Sequence, residues 1–263
     1  MRARLFLLLL LFAAPLCAES NASGFQWAPG GRLFPVAIAD PREIRTFVSF
    51  DNTRQILACV GTYFSVFSVT PEDKRWAVHF GLEGRGLFQM HQSGGRFPLE
   101  TLDGTLGFYL EYKQGPWAAQ LRYTHVSAHL ADGSLGVPFP YSRESVILRA
   151  SYSPNDYAQI YFGAHRLVNS FPPMHGLSLQ VGGNYFLPVQ GSVAPYVAAD
   201  LRWQEESKVN PSFALQLGIA LQQSGKPRDG LRMYYSYYTG ADVRGQYYFA
   251  TKSYHGFALE LPL

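Results

Sequence analysis

Hydrophobic residues recur at every second position along most of this chain. Phe213, Leu215, Leu217, Ile219 and Leu221 alternate with Ala214, Gln216, Gly218, Ala220 and Gln222. Leu177, Leu179 and Val181 alternate with Ser178, Gln180 and Gly182, and Trp76, Val78, Phe80 and Leu82 with Ala77, His79, Gly81 and Glu83. Leu106, Phe108, Leu110 and Tyr112 do the same against Thr105, Gly107, Tyr109 and Glu111. Successive side chains of a strand point to opposite faces, so this period of two predicts strands with one apolar and one polar face. Beyond the first residues no stretch has a helical period, and the fold class is all-β.

The connections divide into two kinds. Five are short and turn-like: 71–74, 113–116, 153–156, 188–191 and 224–229. Between them lie longer ones, 89–98, 130–141, 169–175 and 240–246. Short and long alternate as periplasmic turns and extracellular loops do in outer-membrane barrels, whose tilted strands need about 9–11 residues to cross. The pattern predicts an antiparallel transmembrane β-barrel of about twelve strands, the first near Arg45–Phe50 and the last near Tyr248–Leu263. Ten strands result if the brief 51–54 connection does not separate two.

Composition agrees with this reading. Aromatic residues make up 15% of the chain and charged residues 16%, and mean hydropathy is −0.07. An apolar outer face averaged with a polar lumen has this neutrality. A secreted β-sandwich also alternates, but its solvent face would be rich in charge, whereas the polar faces here are mostly Gly, Ala, Gln, Ser and Tyr. The last strand sets Phe257, Leu259, Leu261 and Leu263 on one face. This resembles the C-terminal signal through which the barrel assembly machinery receives outer-membrane proteins, although Pro262 and a terminal Leu depart from it.

The chain opens with Arg2 and Arg4, an apolar run from Leu5 to Ala14, and Ala18 before Glu19. This is the layout of a secretory signal peptide over residues 1–18, and the run is too short to span a bilayer as a helix. Cys59 then remains as the single cysteine of the mature chain, which excludes an intrachain disulfide framework and a cysteine metal cage. Loss of the two arginines takes the net charge from +3 to about +1, and no basic stripe suggests nucleic acid. No cofactor is implied.

Residues 19–44 form an extended periplasmic lead-in to the barrel at 45–263. Pro35 and Pro41 hold the residues before them out of the helical region, and Asp40 and Arg42 are placed to pair with lumen charges near the periplasmic rim. The expected role is to plug or seal the base, with binding of peptidoglycan or a partner as the alternative. The series Phe25, Trp27, Pro29, Gly31, Leu33, Phe34 and then Ile38-Ala39-Asp40-Pro41-Arg42-Glu43 resembles an uncharacterised family of bacterial outer-membrane proteins, a domain of unknown function. His125, Ser127, His129 and Asp132, and the run Tyr141-Ser142-Arg143-Glu144, fit the same family. Ala128 and Ala131 stand where it usually has Ser and Gly. Membership implies an outer-membrane barrel and no assigned activity.

One place carries candidate chemistry. From Trp117 to His129 the odd positions are Trp, Ala, Leu, Tyr, then His125, Ser127 and His129. Polar side chains closing an apolar, lipid-facing row are costly in a membrane and point to function. The strand runs outward, so these residues fall at the outer leaflet. On the returning strand Glu144 shares the apolar parity of Val146, Leu148 and Ala150. A serine needs a base within reach, and a carboxylate can orient and charge-stabilise that base. Ser127, His125 and Glu144 are therefore the candidate nucleophile, base and orienter of a lipid esterase. The arrangement is similar to the His-x-Ser strands of outer-membrane phospholipase A and lipid A 3-O-deacylase, with Ala128 where both have Asn. Outer-membrane lipids are the expected partners. His129 and Asp132 are candidates for a cation or a lipid phosphate, but they lack a third ligand. The inward positions hold Arg122, Arg149, Arg202 and Arg232 beside Glu83, Glu111, Asp200 and Glu260. Their pairing would close the lumen of a barrel this narrow and disfavours a wide pore. The first reading is thus a closed integral outer-membrane barrel of uncharacterised function without turnover; the lipid esterase is the alternative, and a structural or partner-binding envelope protein is the third reading.

Overall fold

A computed structural model describes residues 23–174, 176–204, 211–223 and 226–261. The expected signal peptide and the final Pro262 and Leu263 lie outside the described residues. Among those described, thirteen strands form: β1 (Gly24–Trp27), β2 (Thr46–Asp51), β3 (Gln55–Thr70), β4 (Ala77–His91), β5 (Leu99–Gln114), β6 (Trp117–Leu130), β7 (Ser142–Tyr152), β8 (Ala158–Phe171), β9 (Leu177–Phe186), β10 (Val193–Gln204), β11 (Ser212–Gln223), β12 (Lys226–Ala241) and β13 (Thr251–Leu261). From β2 onward each pairs antiparallel with the next. β13 returns to β2 through Phe257↔Phe50 and Leu259↔Val48. The result is a closed barrel of twelve strands, with β2 and β3 separate, so the ten-strand count does not hold. Closure pairs the ladder within the barrel itself, as a bilayer demands.

Alternation sorts the side chains as expected. Leu82, Leu106, Phe108, Leu121, Leu148, Phe162 and Leu217 are exposed on the outside, while Glu83, Glu111, Gln120, Arg122, Arg149, Asp200 and Arg202 are buried inside. Turns such as 115–116 gather at one end, which is the short-turn end. The longer connections 92–98, 131–141 and 242–250 gather at the other.

The lead-in is a plug, and it lies deeper than the rim where its charges were expected. β1 pairs with Phe67–Thr70 at the short-turn end of β3, below the part of that strand taken by β2. The chain between them leaves the wall and fills the lumen instead of lying at the rim. Phe34, Ala37, Ile38, Ala39, Asp40, Glu43 and Ile44 are almost completely buried. Ile38 and Ala39 pack on Phe186, Ala194, Tyr196, Ala198, Ala220, Tyr234 and Ala258, and Phe34 and Ala37 on Ala118 and Tyr161. The small inward residues of the wall are therefore space reserved for this plug.

Its charges anchor it. Glu111 accepts from the backbone N–H groups of Leu33 at 2.8 Å and Phe34 at 3.1 Å and pairs with Arg32 at 3.1 Å. Asp40 meets Arg202 at 3.2 Å. Glu43 meets Arg149 at 2.6 Å and accepts from Tyr63. Arg45 pairs with Glu260 at 3.0 Å, which also takes Arg232. Of the inward ions singled out from the sequence, only Arg122–Glu83 (2.7 Å) and Arg232–Glu260 join wall to wall among the described residues. Asp200 pairs with no arginine among the described residues; it accepts from Tyr161 at 2.7 Å and Gln180 at 2.6 Å.

The long-loop end is covered by residues 242–250, which include a 3-10 turn at Gly245–Tyr247. Gln246 donates to the carbonyls of Ala128 (2.7 Å) and Phe139 (2.8 Å), and the Gly245 N–H to Asp103 (2.7 Å). Burial disfavours the Arg244 cation in this cap, but hydrogen bonds and charge from Asp242 outweigh it and raise its pKa.

One glycine is required by packing. A Cβ at Gly182 would lie 2.3 Å from the Tyr161 ring and 2.8 Å from the Ala199 carbonyl, so the tyrosine that packs on the plug lies flat on this glycine. Gly182→Val should displace the ring, break its bond to Asp200 and destabilise the barrel by about 1–3 kcal/mol. Urea unfolding in detergent measures this; an unchanged midpoint would mean that the ring has somewhere else to go.

Candidate functional site

His125 and Ser127 lie on the outward face of β6, above Leu121 and Tyr123. Glu144 lies on the outward face of β7. The two strands pair with His125 directly opposite Glu144 and Ser127 opposite Ser142. Since β6 and β7 are consecutive and antiparallel, their shared parity becomes a shared face, and the structure brings the sequence-derived pair together. His125 Nδ1 is 3.5 Å from Glu144 Oε1. The His125 side chain is 43% exposed and that of Glu144 30%, which places both on the lipid-facing surface near the long-loop end. Ser127 sits two residues along the same face, and no hydrogen bond joins its Oγ to His125 among the described residues.

Two further residues fix the carboxylate. Tyr123 Oη donates to Glu144 Oε2 at 2.9 Å, and Asn169 Nδ2 to the same oxygen at 3.3 Å. Parity alone marks Tyr123 as outward, two residues before His125. Asn169 was missed for a physical reason. Odd positions of β8, such as Tyr161 and Leu167, face inward. The register then slips between Glu144 and Ser145, so that Ser145 faces Leu167 while Glu144 faces Asn169. The bulge turns an odd residue outward, as bulges do. Val168 and Asn169 are consequently both exposed.

On the other flank, Ser127 stands opposite Gly104 of β5. A Cβ there would meet only Ser127 Oγ, at 3.4 Å, so no side chain stands between the hydroxyl and an approaching group on that side. Chemically the surface offers an imidazole oriented by a carboxylate, a hydroxyl two residues away and open access from the lipid side. His129 and Asp132 are both exposed, and no group of three or more His, Cys, Asp or Glu residues suited to a metal occurs among the described residues.

The family described as "Protein of unknown function (DUF1207)" matches residues 99–262. That span runs from β5 to the last strand and contains every candidate residue above. The chain belongs to the DUF1207 family. No curated protein matches this DUF1207 chain. Among solved structures it is similar to outer membrane phospholipase A from Escherichia coli, at 13% identity over 87% of this chain and 91% of that one, with a TM-score of 0.51. The beta domain of the Bordetella autotransporter Brka matches at 14% identity over 83% and 97%, with a TM-score of 0.43. OmpT of Vibrio cholerae matches at 12% identity over 82% and 94%, with a TM-score of 0.41. At 13% identity the likeness to the phospholipase is one of fold alone: the DUF1207 chain is an outer-membrane-type β-barrel.

Proposed function

We propose that this barrel is an outer-membrane hydrolase of lipid acyl esters, with Ser127 as nucleophile, His125 as general base and Glu144 as the residue that orients it. The observation that carries the reading is the His125–Glu144 contact on the lipid-facing surface, two residues from Ser127 and in direct cross-strand register. With its Nδ1–H held by Glu144, the imidazole keeps Nε2 for the Ser127 proton. Ser127 Oγ then attacks the ester carbonyl, and His125 returns the proton to the departing alcohol. Water activated by the same imidazole releases the fatty acid. Outer-membrane barrels carry their long loops outside the cell, so the site meets the outer leaflet and lipids are its partners. Ala128 supplies no side-chain donor to the oxyanion, which leaves that task to backbone N–H groups or to the lipid's own surroundings.

Fatty-acid release from phospholipid vesicles and from lipopolysaccharide by the detergent-folded protein, beside Ser127→Ala, tests the proposal. Equal background release by both proteins would sink it. The plug and the cap favour a barrel closed to solutes over a pore. Outward Phe257, Leu259 and Leu261 on β13 favour recognition by the barrel assembly machinery, and the first 18 residues are removed on export in this reading.

A further inference from the structure

Between the plug and the cap the lumen keeps a cavity of ≈ 100 Å³. It is unrelated to the lipid-facing serine, since every residue lining it faces inward. Six guanidinium groups line it: Arg42 of the plug, Arg85, Arg122, Arg143 and Arg202 of the wall, and Arg244 of the cap. Two carboxylates, Asp40 and Asp242, line it with them. Three of the cations are accounted for by Glu83, Asp40 and Asp242, which pair with Arg122, Arg202 and Arg244. Arg85 is different. It donates to the backbone carbonyl of Arg42 at 3.1 Å and has no carboxylate within ion-pair distance among the described residues. Its Nε is buried without a hydrogen-bond partner, and so is Oγ1 of Thr105, a residue only 3% exposed that lines the same space.

Buried donors are almost always satisfied, and an orphan calls for a water, an ion or a ligand. Like charges gathered in a low-dielectric space also repel unless an anion joins them. We propose that the cavity is a binding site for a phosphoryl oxyanion, with Arg85 and Thr105 as donors inside the field of the other arginines. A tetrahedral oxyanion offers several acceptors at once to converging guanidinium forks, which suits Arg better than Lys. The space lies among guanidinium groups inside the lumen, away from the outward-facing Ser127, so the site is distinct in chemistry from the proposed esterase and stands or falls without it.

Calorimetric titration of the detergent-folded full chain with inorganic phosphate, at fixed pH and ionic strength, tests the site. Saturable binding near one per barrel is expected. Arg85→Gln should weaken it about tenfold or more, as for loss of a charged hydrogen bond, and Thr105→Val by a smaller factor. Arg75→Gln at an exposed turn should leave it unchanged. Glucose 1-phosphate and glucose form a second arm. Binding of the sugar phosphate as tight as that of phosphate, with none of glucose, would identify a phosphorylated saccharide as the natural source. Binding of phosphate alone would identify the free ion. Absence of saturable phosphate binding, or undiminished binding in both variants, would overturn the proposal. If Arg85→Gln fails to fold, the isosteric Thr105→Val decides.

Discussion

Arg149→Leu is expected to destabilise the folded barrel by about 3–5 kcal/mol, the range for removing one partner of a fully buried ion pair. Arg149 is among the largest fully buried side chains of the molecule. It donates to Glu43 at 2.6 Å and to Gln120 at 3.0 and 2.6 Å, and stands 3.8 Å from Asp40. Asp40 would keep Arg202, but Glu43 would keep only the Tyr63 hydroxyl, the Ile44 N–H at 3.2 Å and the more distant Arg32 at 3.7 Å among the described residues. A carboxylate would then be left in the lumen without its nearest cation. The double variant Arg149→Leu with Glu43→Leu should recover most of the loss, because a buried pair replaced by apolar side chains of similar size is often neutral. Urea unfolding of all three proteins in detergent, with protease cleavage within 28–45 as a second readout, separates loss of the plug from loss of the wall. An Arg149→Leu barrel within about 0.5 kcal/mol of wild type and equally resistant to protease would show that the plug is held by Ile38 and Phe34 rather than by charge.

The plug also marks where the sequence stops being readable. Wall strands announce themselves because each repeats one rule over many residues, and twelve of them must close whatever the loops do. Residues 28–45 follow no period. Their partners are Glu111, Arg149, Arg202 and Glu260, and such distant pairs leave no local trace. The sequence showed the inward acids and bases and offered Asp40 as a partner for lumen charges at the rim, but not that Glu43 and Arg45 would join it deep in the barrel to claim them. Nor did it show why Ala194, Ala198, Ala220 and Ala258 are small. Four-residue β1 is below the length at which alternation means anything. At the outer site the balance was better. His125, Ser127 and Glu144 lie on consecutive strands joined by one loop, so parity was enough to put them on one face. Asn169 lay beyond reach because the bulge opposite Glu144 reverses parity, and no period-two reading can anticipate a residue that breaks it.

Ser127→Ala should reduce lipid hydrolysis by about 10³-fold or more, to the level of buffer, while the heat-dependent gel shift of the folded barrel stays unchanged. A nucleophile cannot be spared in a covalent mechanism, and losing it costs as much as losing the whole apparatus. His125→Ala should fall equally far, because an unassisted serine hydroxyl holds its proton at neutral pH. Adding His125→Ala to Ser127→Ala should cost nothing more, since residues that act as one unit are grossly non-additive. A merely structural pair would instead lose in roughly additive steps. Glu144→Gln should lose less, on the order of 10–100-fold, because Glu144 is partly exposed, solvent and headgroups screen its charge, and the amide oxygen can still accept from Nδ1. Tyr123→Phe should lose less again, since it removes one of two donors to Glu144 Oε2 and touches neither nucleophile nor base. This descending order follows from distance to the reacting atoms. If Tyr123→Phe or Glu144→Gln proved more damaging than Ser127→Ala, the outward cluster would be holding the strands together rather than cutting an ester.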